Sequence, residues 1–297
     1  MNLETLTSCP LCGGEGVRTV DAVSNICECI PCGYFFDNPR PTVEELTAFY
    51  SQPTKYDSWL AEEEARDQLW ERRLKLLLRI MKPGTLLDVG AGIGQFLNLA
   101  RAHFSLVCGT EVSESATEIA LTKYGLELSR GEIHEIDFGG TQFDNITAFH
   151  VLEHVPNPRI LIERCARLLT LGGVLVIAVP HDVHSLRVRT KRLLGAIGVR
   201  RFQKTGKLGL PRIALDGSME EIHLSHFTPV SLQGLVQQCG FSVVWNTLDP
   251  YYAATGLAKW RHAGFYGCCR ALKPILRANL YDTILIVAKK TATQEVG

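Results

Sequence analysis

Three glycines at alternate positions, Gly90, Gly92 and Gly94, sit inside the stretch Thr85–Ala100, TLLDVGAGIGQFLNLA. An apolar run ends at Asp88-Val89 just before them, and an amphipathic helical pattern takes over at Gln95. The pattern predicts a buried strand, a tight turn and a helix start, a geometry that lets backbone approach a nucleotide-like ligand closely. The spacing is G-x-G-x-G, not the G-x-G-x-x-G of dinucleotide enzymes, and no Lys-Ser/Thr follows to make a phosphate loop. Glu111 stands about 20 residues beyond Gly90, at the end of a second strand-like run, LVCGTEV, where a carboxylate accepts hydrogen bonds from both hydroxyls of a ribose. The plain alternative is a surface acid before a helix that Ser113 would cap.

A second constellation lies near the N-terminus. Cys9-Pro-Leu-Cys12 and Cys29-Ile-Pro-Cys32 are two C-x-x-C pairs with sixteen residues between them. This is the ligand spacing of a four-thiolate zinc ribbon, each pair forming one knuckle. Cys27 offers a rival ligand, but Cys29 and Cys32 have the better spacing. A closed four-thiolate site is structural, and a module of about 40 residues needs its metal to fold. Nucleic-acid binding is not expected: the ribbon has only Arg18 and Arg40 as basic residues, against Glu15, Asp21, Glu28 and Asp37. It reads as a docking lid or brace.

Histidines supply the remaining chemistry. His150-x-x-Glu153-His154 matches the inverted zinc-protease pattern, which needs a long helix. Here a strand pattern precedes these residues and Pro156 and Pro158 follow, so that reading is rejected. His223 and His226 lie just before Thr228-Pro229, a good N-cap and first helical residue. Either is a candidate general base, since imidazole titrates near working pH; a purely structural role is the alternative.

The elements that must position these groups follow from periodicity. Thr42-Val-Glu-Glu45 reads as a capping box opening a short helix. Trp70, Leu74, Leu77, Leu78 and Met81 recur at helical spacing until Pro83-Gly84 ends the run. Tyr50, Tyr56 and Trp59 lie on the approach, placed to close over a bound ligand. The expected organisation is a ribbon over 1–40, a helical arm over 41–82 and a catalytic domain over 83–290. Charge sums to zero, with 31 basic and 31 acidic residues, but it is unevenly spread. An acid-free basic stretch (Arg187, Arg189, Lys191, Arg192, Arg200, Arg201, Lys204, Lys207, Arg212) marks a lid insertion at about 183–220. A second, at about 253–280, interleaves Lys259, Arg261, Arg270, Lys273 and Arg277 with Leu257, Trp260, Phe265 and Ile275, and Pro274 is expected to kink or divide any helix there. Such segments suit an anionic membrane surface or a lipid-linked or phosphorylated acceptor, against the alternative of a solvated lid. Ten cysteines, mostly in paired or buried-looking places, suit a reducing compartment, and no uncharged apolar run reaches the roughly 20 residues that span a bilayer. A cytoplasmic protein, at most peripheral to a membrane, is expected; the tail 291–297 reads as frayed.

Together LDVGAGIG, GTEVSESA, RGEIHEIDF, FDNITAFHVLEHVPNP and LLTLGGVLVIAVP resemble the class I S-adenosylmethionine-dependent methyltransferases, over about two thirds of the chain. The branch it is most similar to includes the ubiquinone-biosynthesis O-methyltransferases. The resemblance implies an α/β fold: a doubly wound, mostly parallel seven-strand sheet with the small zinc ribbon in front. It implies that Gly90, Gly92 and Gly94 pass beside the methionine part of the cofactor, that Asp88 holds the turn and that Glu111 takes the ribose. Glu132, where the family more often has Asp, would accept from the adenine amino group, and Ile133 would supply a backbone donor and an apolar wall. His150 would end the fourth strand facing the sulfonium, and His154, His223 and His226 complete the catalytic candidates, the last two at the mouth of the acceptor pocket. Some quinone-pathway relatives hold a divalent metal in the same turn; Glu153 and His154 match those positions, although bracing of the loop is the favoured role. The implied function is methyl transfer to a small-molecule, glycolipid or sugar-linked acceptor, most simply a hydroxyl. A non-catalytic adaptor docking through the ribbon is the alternative, and an NAD-dependent oxidoreductase is disfavoured by the glycine spacing.

Overall fold

The computed structural model describes residues 2–52, 56–198, 206–216, 219 and 221–292. The N-terminal part contributes short strands β1 (Leu3–Glu4), β2 (Val17–Asp21), β3 (Ile26–Cys29), β4 (Phe35–Asp37) and β5 (Arg40–Pro41), then helices α1 (Val43–Tyr50), α2 (Asp57–Ala61) and α3 (Glu63–Leu77). Strand and helix then alternate: β6 (Thr85–Val89), α4 (Gln95–Ala100), β7 (Leu106–Glu111), α5 (Glu114–Tyr124), β8 (Ser129–Arg130), β9 (Phe143–Phe149), α6 (Pro158–Leu168) and β10 (Leu169–Pro180). The chain closes with α7 (Leu186–Ala196), β11 (Ser225–His226), α8 (Pro229–Gln238), β12 (Phe241–Thr247), α9 (Gly256–Leu276) and β13 (Thr283–Lys290).

The central sheet has seven strands in the order β12-β13-β10-β9-β6-β7-β8, all parallel except β13, which runs antiparallel to both its neighbours. Its central strands are apolar on both faces because both are covered. Leu87, Ile146, Leu175, Ile177 and Ile286 enter one core, while Leu86, Val174, Val176, Leu285 and Val287 enter the other, the two-residue period of a pleated strand. From β6 the chain crosses to β7 on one side and later to β9 on the other, so strand order reverses at the carboxyl end of β6. A crevice opens at such a switch point, and there the glycine turn emerges. Ser113 caps α5 by accepting from the Ala116 amide, and Thr228 caps α8 in a reciprocal bond with Ser231.

The ribbon shares a sheet with the rest of the chain. Its four strands run β11-β4-β3-β2, and β11 comes from residues 225–226, pairing Ser225 with Phe36 and His226 with Phe35. Cys9, Leu11, Tyr34 and Phe36 join the main core with Phe227.

Three local expectations change. Thr42 precedes α1 without a side-chain cap bond, and Glu45, the other half of the expected box, accepts from the Asn2 amide at 2.8 Å. Leu78 falls outside the buried stripe of Leu74, Leu77 and Met81, since α3 ends at Leu77. Pro274 does not divide α9, whose 21 residues continue through it; it falls in the last turn, where few hydrogen bonds depend on it. Of the predicted lid, Arg200, Arg201 and Lys204 lie outside the described residues, as do 293–297 of the tail.

Candidate functional site

The turn after β6 works because its glycines do what other residues cannot. Gly90 and Gly92 adopt φ of 66° and 55°. A Cβ on Gly90 would stand 2.5 Å from Val151 Cγ2, and one on Gly92 would stand 2.9 Å from the ring of Trp59. Trp59 of α2 therefore lies on the turn, and the Arg66 guanidinium stacks 3.8 Å above that indole. Tyr56 is buried beside it with Ile93 and Ala116. Glu111, 7% exposed at the tip of β7, accepts from the Gly92 amide and the Ser113 amide, each at 2.9 Å. Burial pushes its carboxyl above the usual range despite those two amides. Ser113 caps the helix as expected, but Glu111 is not a surface acid: it is buried against the glycine turn.

Asp88 departs from its expected role. Its Oδ1 accepts from Thr147 Oγ1 at 2.6 Å, so it fastens β6 to β9 instead of holding the turn. Burial pushes its carboxyl up to about 7. The Gly131 amide donates to the Glu111 carbonyl at 3.0 Å, which brings the Glu132–Ile133 loop beside the same strand end. Ile133 is buried, and Glu132 is half-buried with His134 Nδ1 3.2 Å from its carboxylate.

Across the crevice four histidines occupy four different environments. His150 ends β9 in the left-handed region, φ 56°. Its Nε2 lies 2.9 Å from Arg73 Nη2. A guanidinium only donates, so Nε2 accepts and the ring proton sits on Nδ1, 3.3 Å from Glu153 Oε1. Both nitrogens are thus engaged. His154 Nδ1 is 2.7 Å from the Ile222 carbonyl, an acceptor, so Nδ1 carries the proton and Nε2 keeps its lone pair. Burial depresses its pKa, leaving the ring neutral. His223 is different: Nδ1 pairs with Asp182 at 2.9 Å and Nε2 faces Glu221 at 3.6 Å. Burial opposes its imidazolium, yet Asp182 prevails and holds its pKa well above the ordinary value. His226 does not reach the acceptor side. It is 4% exposed, with Nε2 2.8 Å from Asp37 of the ribbon and Nδ1 3.5 Å from Asp182. The reason is β11, whose pairing with β4 turns the side chain inward.

A cavity of about 310 Å³ lies between the two groups, lined by Ser58, Trp59, Glu62, Arg66, Glu221 and Tyr251. Trp59 joins it to the glycine turn, Glu221 to His223, and Tyr251 to His150, with ring centroids 4.1 Å apart. Behind it, fully buried Arg73 pairs with buried Asp249 and is boxed by Trp70, Phe149 and Tyr251. Sequence reasoning missed this pair. Its one signal was basic residues, Arg66 and Arg73, on the helix face that carries Leu69 and Leu77. Asp182 and Glu221 were missed as well; Asp182 had a signal in its place, just beyond the carboxyl end of β10.

Two groups of side chains have donor sets that fit metals. The four sulfurs of Cys9, Cys12, Cys29 and Cys32 lie within 4.8 Å of one another, with Cys9–Cys32 at 3.7 Å and Cys12–Cys29 at 3.6 Å. Thiolates about 2.3 Å from a tetrahedral zinc stand about 3.8 Å apart, so the cluster has the dimensions zinc requires. Glu153, His154 and His223 also converge within 4.8 Å. Glu153 is buried and makes no close hydrogen bond through either oxygen; His150 Nδ1 at 3.3 Å and His154 Nε2 at 3.8 Å face its Oε1.

These features define a class I methyltransferase architecture: a seven-strand sheet with one reversed strand next to its edge, a glycine turn after the first strand of that sheet and an acid at the tip of the next. A methyltransferase-domain family model matches residues 61–245, more than half of the chain, and the chain belongs to that family. It is 27% identical over 134 residues to an uncharacterized protein of Methanocaldococcus jannaschii, covering 45% of this chain and 62% of that one. It is 32% identical over 100 residues to a ubiquinone biosynthesis O-methyltransferase of Coxiella burnetii, covering 32% of this chain and 43% of that protein. The matches thus span less than two thirds of the relatives' own lengths. Among solved structures, an S-adenosylmethionine-dependent methyltransferase from Thermotoga maritima shares the fold, with a TM-score of 0.52 at 16% identity, over 83% of this chain and all of that one.

Proposed function

We propose that this protein transfers a methyl group from S-adenosylmethionine to a hydroxyl of a small-molecule or lipid- or sugar-linked acceptor. The observation that carries the reading is a cavity whose lining reaches both groups: Trp59 lies on Gly92 of the glycine turn, and Glu221 lies 3.6 Å from His223. The residues fit the cofactor: Gly90 and Gly92 leave no room for a side chain, Glu111 offers acceptor capacity beyond its two amide bonds, and Glu132 stands at the adjoining strand end. S-Adenosylmethionine, when bound, supplies the electrophilic methyl. The chain's own tasks are to align an acceptor oxygen and to remove its proton. His154 suits the second task, because its Nδ1 proton is committed to the Ile222 carbonyl and its neutral Nε2 is basic. His223, held as an imidazolium by Asp182, has no lone pair left to take that proton and sets the charge beside it.

A second reading of the same groups rests on the convergence of Glu153, His154 and His223 within 4.8 Å: with both imidazoles neutral they would hold a divalent cation, which would polarise the acceptor oxygen in place of the His154 base. The test is formation of S-adenosylhomocysteine with a panel of phenolic and sugar-linked hydroxyl acceptors, followed by mass spectrometry with and without chelator. His154→Gln should lower the rate by about a hundredfold or more without changing cofactor affinity. An undiminished rate in that variant would refute the assignment of the base.

A further inference from the structure

Two helices remain that neither the sheet nor the site explains. α7 carries Arg187, Arg189, Lys191 and Arg192, α9 carries Lys259, Arg261, Arg270 and Lys273, and neither contains an acid. They are neighbours: Leu186, Lys191 and Leu194 of α7 face Arg261, His262 and Phe265 of α9 across a groove of about 550 Å³.

α9 is apolar on two faces. Phe265, Tyr266 and Cys269 pack with Leu248 and Tyr281. On the other face Leu257, Trp260 and Ile275 are 89%, 74% and 74% exposed. Exposed Gly264, Cys268 and Ala271 continue that stripe at helical spacing. Next to it, α7 exposes Leu193, and the residue that ends it, Ile197, is exposed too. Among the described residues nothing covers this surface. A large apolar side chain left in water forgoes roughly 1.5–3 kcal/mol relative to burial, so the stripe needs an apolar partner. A second copy of the chain would bring one set of cations against another, with no acid on either helix to meet them. An anionic bilayer satisfies both demands, since acyl chains accept the stripe and headgroup phosphates accept the arginines. No described helix is long and apolar enough to cross a membrane, so the contact is with the surface.

We infer that α7 and α9 together form a face that docks on anionic phospholipid membranes. The consequence for the acceptor rests on the methyl-transfer reading. Residues 249–255 run from the cavity wall into α9: Tyr251 lies against His150, and the next ring, Tyr252, stacks parallel to His262 of α9 with centroids 6.2 Å apart. Docking through α9 therefore holds the cavity beside the bilayer, and the acceptor is a lipid-linked or membrane-dissolved hydroxyl.

The experiment is cosedimentation of the full chain with vesicles of phosphatidylcholine alone and of phosphatidylcholine with phosphatidylglycerol, at low and high salt. S-Adenosylmethionine binding is measured by calorimetry on the same preparation. Binding should need phosphatidylglycerol and weaken with salt. Leu257→Ser with Trp260→Ser, and separately Arg189→Glu with Arg192→Glu, should each reduce partitioning by at least about tenfold while cofactor affinity stays unchanged. Absence of vesicle binding, or equal binding to phosphatidylcholine alone, overturns the inference. So does a concentration-dependent dimer in ultracentrifugation that the Leu257→Ser, Trp260→Ser variant dissolves. Vesicle binding without S-adenosylmethionine binding supports the docking face and overturns the statement about the acceptor.

Discussion

Replacing Glu111 by Gln separates the contact the structure shows from the ribose role proposed for it. The carboxylate accepts from the Gly92 and Ser113 amides, both at 2.9 Å, and on the methyl-transfer reading it also takes the ribose. Gln keeps the shape but turns one acceptor into a donor, so one of those amides then confronts an N–H. A buried donor left unsatisfied costs roughly 1–3 kcal/mol, and that loss appears in the ligand-free protein as a lower unfolding temperature. Loss of charged hydrogen bonds to the ribose removes a further 1.5–3 kcal/mol or so, and this appears only in binding. Each 1.4 kcal/mol is about tenfold, so the affinity for S-adenosylhomocysteine should fall by about ten- to a hundredfold. Titration calorimetry gives the second quantity and thermal unfolding without ligand gives the first. A variant that unfolds earlier but binds within about twofold of wild type would show that Glu111 only clasps the glycine turn, and would refute its assignment to the ribose.

Two further outcomes follow from the geometry. Wild-type protein should carry about one zinc per chain, and Cys9→Ser should release it, as measured by metal analysis of the purified chain; a metal-free wild type would refute the four-thiolate assignment. Asp88, pushed up to about 7 by burial, keeps in the folded state a proton that the unfolded chain loses near pH 4. The folded state is therefore favoured at the acidic end, and this contribution is lost as pH rises from about 4 to about 7, by up to about 4 kcal/mol. Asp88→Asn should remove that slope in denaturant titrations at a series of pH values, and an unchanged slope would place the carboxyl elsewhere on the scale.

What the chain disclosed in advance was mostly local. The glycine turn could be read because a two-residue period, three turn-forming residues and a helical period succeed one another within Thr85–Ala100. Ser113 and Thr228 were legible as caps because a cap acts over three residues. The Glu45 half of the capping box at Thr42 failed for a reason no local pattern contains: the amide of Asn2, a distant residue in sequence, donates to the Glu45 carboxylate. The Arg73–Asp249 pair spans 176 positions and the His226–Asp37 pair spans 189, so each depends on the completed sheet. Among the histidines, only structure could show that His226 turns toward the ribbon while His154 keeps a lone pair.

The sheet shared by β4 and β11 bears on how the chain is made. The ribbon leaves the ribosome first, but the strand that completes its sheet arrives 189 residues after Asp37, with His226. Until then β4 presents an open edge and Asp37 lacks the imidazole it is built around. The cysteine knuckles need nothing beyond Cys32, so a metal captured early can hold the nascent ribbon in shape while the large sheet forms. Any nascent fragment that stops short of β11 exposes that edge, an aggregation-prone feature, and the finished protein closes it with the same strand that leads into the acceptor side of the site.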